Sequence, residues 1–205
     1  MDDDWADARE ILLIHDHVGS PVVWVRVERQ LRSLGLLVRS VEWPGGAAGS
    51  TGGYGLARVF ENPPHQPVVV VGHGRGATGA LRLAAGAPQH VGAVVLVAPV
   101  SIPHSVLGAR WATRYGAARL RIRCAAVLVT GTRDYVTRPH VVRGLARLLP
   151  QAHRIRAEAG HLIPIEDPDA VVRAVLHGLA RTYQQSRTPR GPHRPVPSQR
   201  SRTAP

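Results

Sequence analysis

Short apolar runs rich in β-branched residues recur along the chain, separated by stretches of helical periodicity. ILLI at 11–14, LLVRSVEW at 36–43, VVVV at 68–71, AVVLVA at 93–98, AVLVT at 126–130 and HRIRAEA at 153–159 read as strands. Runs apolar on both faces mark strands of a parallel sheet that is covered on both sides. Between them, helices are predicted at 21–34, 52–61, 75–86, 138–149 and 167–181. In the last of these, Ala170, Val171, Ala174, Val175, Gly178 and Leu179 recur at helical spacing. They follow Asp167 and Pro168, an acid and a proline where a helix begins. The pattern is α/β: an open, mainly parallel sheet of about six strands with helices on both faces.

The segments that break the pattern define the organisation. PGGAAGSTGG at 44–53 reads as a loop. Residues 99–123 form the one long excursion between strands, with a short helix carrying Trp111 and Tyr115, and this is where a short lid would sit. From residue 182 onward the chain is rich in Pro, Ser, Gln and Arg and nearly free of large apolar side chains. Such a segment cannot offset its ordering entropy, so a disordered basic tail is expected at 182–205 and one domain at 1–181. A length of 205 residues suits a single domain. No apolar run approaches the roughly 18 residues that crossing a bilayer requires, so no membrane partner is expected. The acidic start MDDDWADARE and the lone Cys124 point to a reducing cytoplasm.

Charge changes this picture little. Of a formal net charge of +12, half comes from Arg181, Arg187, Arg190, Arg194, Arg200 and Arg202, in a stretch with no acid. All 26 basic residues are arginine, aromatic residues make up 4% of the chain, and no stacking motif is present. A nucleic-acid partner is therefore not expected.

The chemistry begins at VVVVGHGRGATGALRLAA, residues 68–85, where a buried strand runs into a glycine-rich turn and then a helix. Gly74, Gly76 and Gly79 spell G-x-G-x-x-G, in the context that a dinucleotide site needs. Such a site also wants an acid about 20 residues on, for the ribose hydroxyls. The chain has no Asp or Glu between Glu61 and Asp134. The competing reading is a nucleophile elbow. ILLIHDHVGS resembles the strand ending in His-Gly that begins an oxyanion loop, and VGHGRGATGALRLAA resembles a Gly-x-Ser-x-Gly elbow with its helix. VLVTGTRDYVTRP is similar to a strand ending at a catalytic acid, and AEAGHLIPIEDPDAV to a catalytic-histidine loop with the final helix. In that order, over residues 10–180, these segments resemble the α/β-hydrolase superfamily.

The resemblance puts the elbow on Gly72, His73, Gly74, Arg75 and Gly76, the acid on Asp134 and the base on His161. Gly74 occupies the position of the family's nucleophilic serine, so the acyl-enzyme route is closed. Glycine adopts the strained backbone of that turn readily, so the fold survives the change. The oxyanion donors implied are the N–H of Arg75 and one near His17. Asp16 stands where the family has glycine: facing the hole its carboxylate would oppose an anionic intermediate, and facing outward it would be neutral to the chemistry. Asp134 and His161 remain as a general-base dyad, with His15, His17, His73 and Arg75 flanking the mouth.

Other residues carry a plain reading beside the functional one. Trp111 and Tyr115 would cap an apolar substrate or anchor a short helix to the core. Cys124 reads as a structural thiol. Ser101 and Ser105 sit on no turn that would activate them as displaced nucleophiles. Asp16, His17 and His161 match no zinc spacing, so no metal site is expected. The resemblance implies no cofactor and a small organic substrate: an ester, lactone or related carbonyl compound. Two functions fit. One is a non-covalent catalyst of water attack, elimination, isomerisation or cyclisation; the other is a catalytically silent chain that binds a ligand or protein partner.

Overall fold

The computed structural model describes residues 10–15, 21–41, 59–60, 64–100 and 122–187. Within them six strands form one all-parallel sheet: β1 (Glu10–Ile14), β2 (Leu37–Val41), β3 (Val68–His73), β4 (Val91–Val97), β5 (Ala125–Gly131) and β6 (His153–Ala157). Their order across the sheet is β2-β1-β3-β4-β5-β6. Each expected strand is present, with ends moved by a few residues. The helices are α1 (Val25–Ser33), entered through a 3-10 turn at Pro21–Trp24, α2 (Gly76–Gly86), α3 (Pro139–Leu148), α4 (Ile163–Glu166) and α5 (Pro168–Arg187). Of the helix expected at 52–61, only Val59 and Phe60 fall within the described residues.

The middle strands are buried along their whole length because both of their faces are covered. One layer packs α1 and α5 on Ile11, Leu13, Val69, Val71, Ala93, Val95 and Val127, with Trp24, Leu31, Val171 and Val175 filling the space. The other packs α2 and α3 on Leu12, Ile14, Val70, Val94, Leu96 and Leu128, through Ala80, Leu81, Val141 and Leu145. Alternate residues of a strand point to opposite faces, so β1 alone feeds both layers.

α5 begins as the sequence indicates: Asp167 Oδ1 accepts the Ala170 N–H at 3.0 Å, capping the helix behind Pro168. It ends later than expected, running to Arg187 rather than 181. The reason lies in the packing. Thr182 is buried and donates its hydroxyl to the Gly178 carbonyl at 2.9 Å. Its methyl group fills the space beside Gly92, where a Cβ would lie 2.3 Å from Thr182 Cγ2. Residues 188–205 lie outside the described residues, as do 101–121 of the expected lid. Among the described residues no helix is long and apolar enough to cross a membrane.

The strand order reverses at β1, whose neighbours are β2 on one side and β3 on the other. In open parallel sheets the crevice beyond the carboxyl ends of the strands at such a reversal is where sites are built. Here it lies between His15, just after β1, and the turn after β3.

Candidate active site

The turn from β3 into α2 is shaped by three glycines. Gly74 has φ +57°, the left-handed conformation that favours glycine, and its N–H bonds the Val97 carbonyl at 3.0 Å. A Cβ on Gly72 would lie 2.3 Å from the Gly76 carbonyl oxygen, and one on Gly76 2.3 Å from that of Ile14. The sequence Gly-x-Gly-x-Gly therefore lets α2 begin hard against the ends of β3 and β1. Gly74 is buried, whereas Arg75, the residue before α2, is exposed.

Asp134 lies in the loop after β5, with its side chain only 2% exposed. Its Oδ1 accepts the N–H groups of Val136 at 2.8 Å and Thr137 at 2.9 Å, an Asx-type turn that aims the carboxylate. Its Oδ2 faces His161 Nδ1 at 3.2 Å. A carboxylate only accepts, so His161 carries its hydrogen on Nδ1 and leaves Nε2 as the basic nitrogen. Burial pushes the Asp134 pKa up, but hydrogen bonds from Thr137, His161 and the Val136 amide outweigh it and hold the group below the ordinary carboxylate range.

His161 stands in the loop between β6 and α4. That loop is tied to the end of β5: Arg133 N–H bonds the Ala159 carbonyl at 2.9 Å and the Arg133 guanidinium bonds the Glu158 carbonyl at 3.0 Å. Gly131 allows the approach, since a Cβ there would lie 2.4 Å from the carbonyls of Ala159 and Gly160. From the other side, Glu166 Oε2 accepts the Gly160 N–H at 2.8 Å.

The loop also meets the elbow. The rings of His73 and His161 have centroids 5.1 Å apart, and His73 Nε2 donates to the His161 carbonyl at 3.0 Å. His73 is 3% exposed, with the edge of Trp24 packed against it at 6.1 Å between ring centroids. His73, expected from the sequence to flank the mouth as a binding residue, occupies a buried place with its Nε2 engaged by the His161 carbonyl. His15 is likewise buried.

Of the remaining candidates, Asp16, His17, Ser101, Ser105, Trp111 and Tyr115 lie outside the described residues. The combination of Asp16, His17 and His161 considered for a metal is outside them too, apart from His161. Among the described residues no group of three His, Cys, Asp or Glu side chains is placed to hold a metal ion. Three contributors to this geometry lie beyond the expectations drawn from the sequence. The spacing of Asp134 to Val136 and Thr137 carries a local signal for the Asx turn. The roles of Glu166 and Trp24 rest on tertiary contact and carry none. Ala98, just after β4, has φ +42°, a strained conformation for a residue with a Cβ, and its N–H bonds the Val129 carbonyl.

No protein-family model and no curated protein matches the chain in sequence. Solved structures do match in shape. A thioesterase domain from the curacin biosynthetic pathway superposes with a TM-score of 0.64 at 19% identity, over 83% of this chain and 92% of that one. MGS-MChE2, an α/β-hydrolase enzyme from a lagoon-sediment metagenome of Mar Chica, Morocco, gives 0.64 at 20% identity, over 87% and 93%. Carboxylesterase CesB (YbfK) from Bacillus subtilis gives 0.63 at 18% identity, over 84% of each chain. The all-parallel six-stranded sheet, its strand order and these superpositions agree: the chain has the α/β-hydrolase fold.

Proposed function

We propose that this protein acts on a small carbonyl compound, an ester or lactone, by general-base catalysis with no serine nucleophile. His161 is the base, Asp134 orients it, and Gly74 is the vacated nucleophile position. The observation that supports this most is the hydrogen bond between His161 Nδ1 and Asp134 Oδ2, in a loop joined to the elbow by His73. The fold is shared with a thioesterase domain and a carboxylesterase, and that likeness supports a carbonyl substrate.

In the reaction, a water molecule takes the place where a serine hydroxyl would otherwise stand. His161 Nε2 removes a proton from it as its oxygen adds to the carbonyl carbon. The carbonyl electron pair moves to oxygen, giving a tetrahedral anion that faces the Arg75 amide at the start of α2. Collapse restores the carbonyl, the bond to the leaving alkoxide breaks, and the proton held on His161 passes to the alkoxide. Asp134 holds the imidazole in the correct tautomer and stabilises the imidazolium that forms.

The test compares wild type, Gly74→Ser and His161→Ala against a panel of activated esters and lactones, with a serine-directed phosphonate as a covalent probe. Wild type is expected to remain unlabelled at residue 74 and to lose turnover by on the order of a hundredfold in His161→Ala. Gly74→Ser is expected to become labelled. Turnover equal in wild type and His161→Ala removes the dyad from the mechanism. A panel with no turnover in wild type favours a silent, ligand-binding chain.

A further inference from the structure

We infer that His73 is a positioning residue that fixes the distance between the elbow and His161, through its hydrogen bond to the His161 carbonyl. This rests on the reading of His161 as the base. Among the described residues, the other hydrogen bonds of the loop that carries His161 tie it to the acid side of the site. Arg133 bonds the carbonyls of Ala159 and Glu158, Asp134 bonds the imidazole itself, Glu166 of α4 accepts the Gly160 N–H, and the Asp167 carboxylate before α5 accepts the Glu158 N–H. All of these contacts set the imidazole relative to β5, α4 and α5. The chemistry depends on something else, the position of the imidazole relative to the turn after β3.

His73 supplies that link. It is the last residue of β3, a strand buried along its whole length at the centre of the sheet, and it directly precedes Gly74. Its side chain is 3% exposed and backed by Trp24, so the ring has little freedom to turn. A carbonyl only accepts, so Nε2 of His73 must carry its hydrogen. The two histidines thus hold opposite tautomers: Nε2–H on His73, and Nδ1–H on His161 to meet Asp134. With Nε2 committed to protein and the ring out of solvent, His73 stands outside the path of the transferred proton.

The first test reads the full-length wild type by 15N NMR of its histidine rings. His73 is expected as the Nε2–H tautomer and His161 as the Nδ1–H tautomer with a slowly exchanging Nδ1 proton. Finding His73 as the Nδ1–H tautomer overturns the inference. The second compares His73→Gln, which keeps a donor at similar reach, with His73→Leu, which fills the space without one. The protected His161 Nδ1 proton is expected to persist in His73→Gln and to vanish in His73→Leu, while the amide spectrum of the sheet is unchanged in both. Its persistence in a folded His73→Leu overturns the inference, as does its loss in a folded His73→Gln.

The third works in the Gly74→Ser background. Adding His73→Leu is expected to slow phosphonate labelling by on the order of tenfold or more, with His73→Gln restoring most of the rate. Equal rates in all three overturn the inference. If Gly74→Ser alone takes no label, the reading of the elbow fails. The NMR outcomes then still decide the role of His73, because they need no substrate.

Discussion

At the scale of single residues, Asp134 is the group whose chemistry the structure specifies most fully. It is almost fully buried, yet two backbone N–H groups and an imidazole N–H satisfy its oxygens, and these favour the charged form. Its pKa is held below the ordinary carboxylate value of about 3.9. Its contribution to stability is therefore complete above that value and is lost as the pH falls through the lower, folded-state value. Asp134→Asn is expected to lower stability at pH 7 by about 1–3 kcal/mol. Urea titrations of both proteins should show the gap narrowing below about pH 4. A gap that stays constant into acid would mean that the carboxylate charge adds nothing beyond its shape. Cys124 is the opposite case: burial pushes its thiol up to about 11, partly offset by a backbone hydrogen bond. It should react with a disulfide reagent at pH 8 far more slowly in the native state than in urea.

At the scale of elements, the edge strand β6 is fastened to α5 by two stacked rings. His153 and His177 have centroids 4.1 Å apart and planes 15° from parallel. Burial, then repulsion from His153 and Arg181, pushes His177 below the ordinary histidine range. The folded chain thus binds fewer protons here than the unfolded chain between the lowered value and about 6.5. Stability should fall as the pH drops through that window and level off below it. His177→Gln is expected to remove this part of the acid dependence, read as urea midpoints at pH 7.5 and pH 5. Equal pH dependence in the two proteins would release the stack from any role in acid sensitivity. This contact also marks what the sequence leaves unreadable. The six strands are legible because buried parallel strands are apolar on both faces, and the meeting of Asp134 with His161 is legible only through the resemblance of VLVTGTRDYVTRP and AEAGHLIPIEDPDAV to an acid-bearing strand end and a histidine loop. α4 is four residues long, too short for any periodicity to register. The extension of α5 past 181 is not legible in composition, which counts apolar side chains, whereas Thr182 is held by a glycine on a different element, Gly92. The bond from His73 to His161 joins residues 88 apart, and no local pattern encodes such a contact.

At the scale of the whole molecule, one sheet divides the interior into two layers. Ile11 faces the layer under α1 and α5, while Ile14, on the same strand, faces the layer under α2 and α3; both are fully buried. Removing one methylene from either, as Ile11→Val or Ile14→Val, should cost about 1 kcal/mol. The two residues are three apart on one strand, about 10 Å at about 3.3 Å per residue, project from opposite faces of the sheet and belong to separate clusters. Their costs should therefore add to within about 0.5 kcal/mol in the double variant. Unfolding should remain a single transition, because β1 and its neighbour β3 contribute side chains to both layers and neither layer can open alone. Urea denaturation of the two single variants and the double variant, followed by circular dichroism and by tryptophan fluorescence, measures both quantities. Trp24 lies in the α1 layer, so with Trp5, Trp43 and Trp111 replaced by Phe throughout the series its fluorescence reports on one side of the sheet while circular dichroism reports on the whole. Two probes with different midpoints, or a double variant that departs from additivity by more than about 1 kcal/mol, would show that β1 shifts as a body when one face is thinned. Since β1 ends beside the elbow, where the Ile14 carbonyl lies against Gly76, such a shift would reach the site as well.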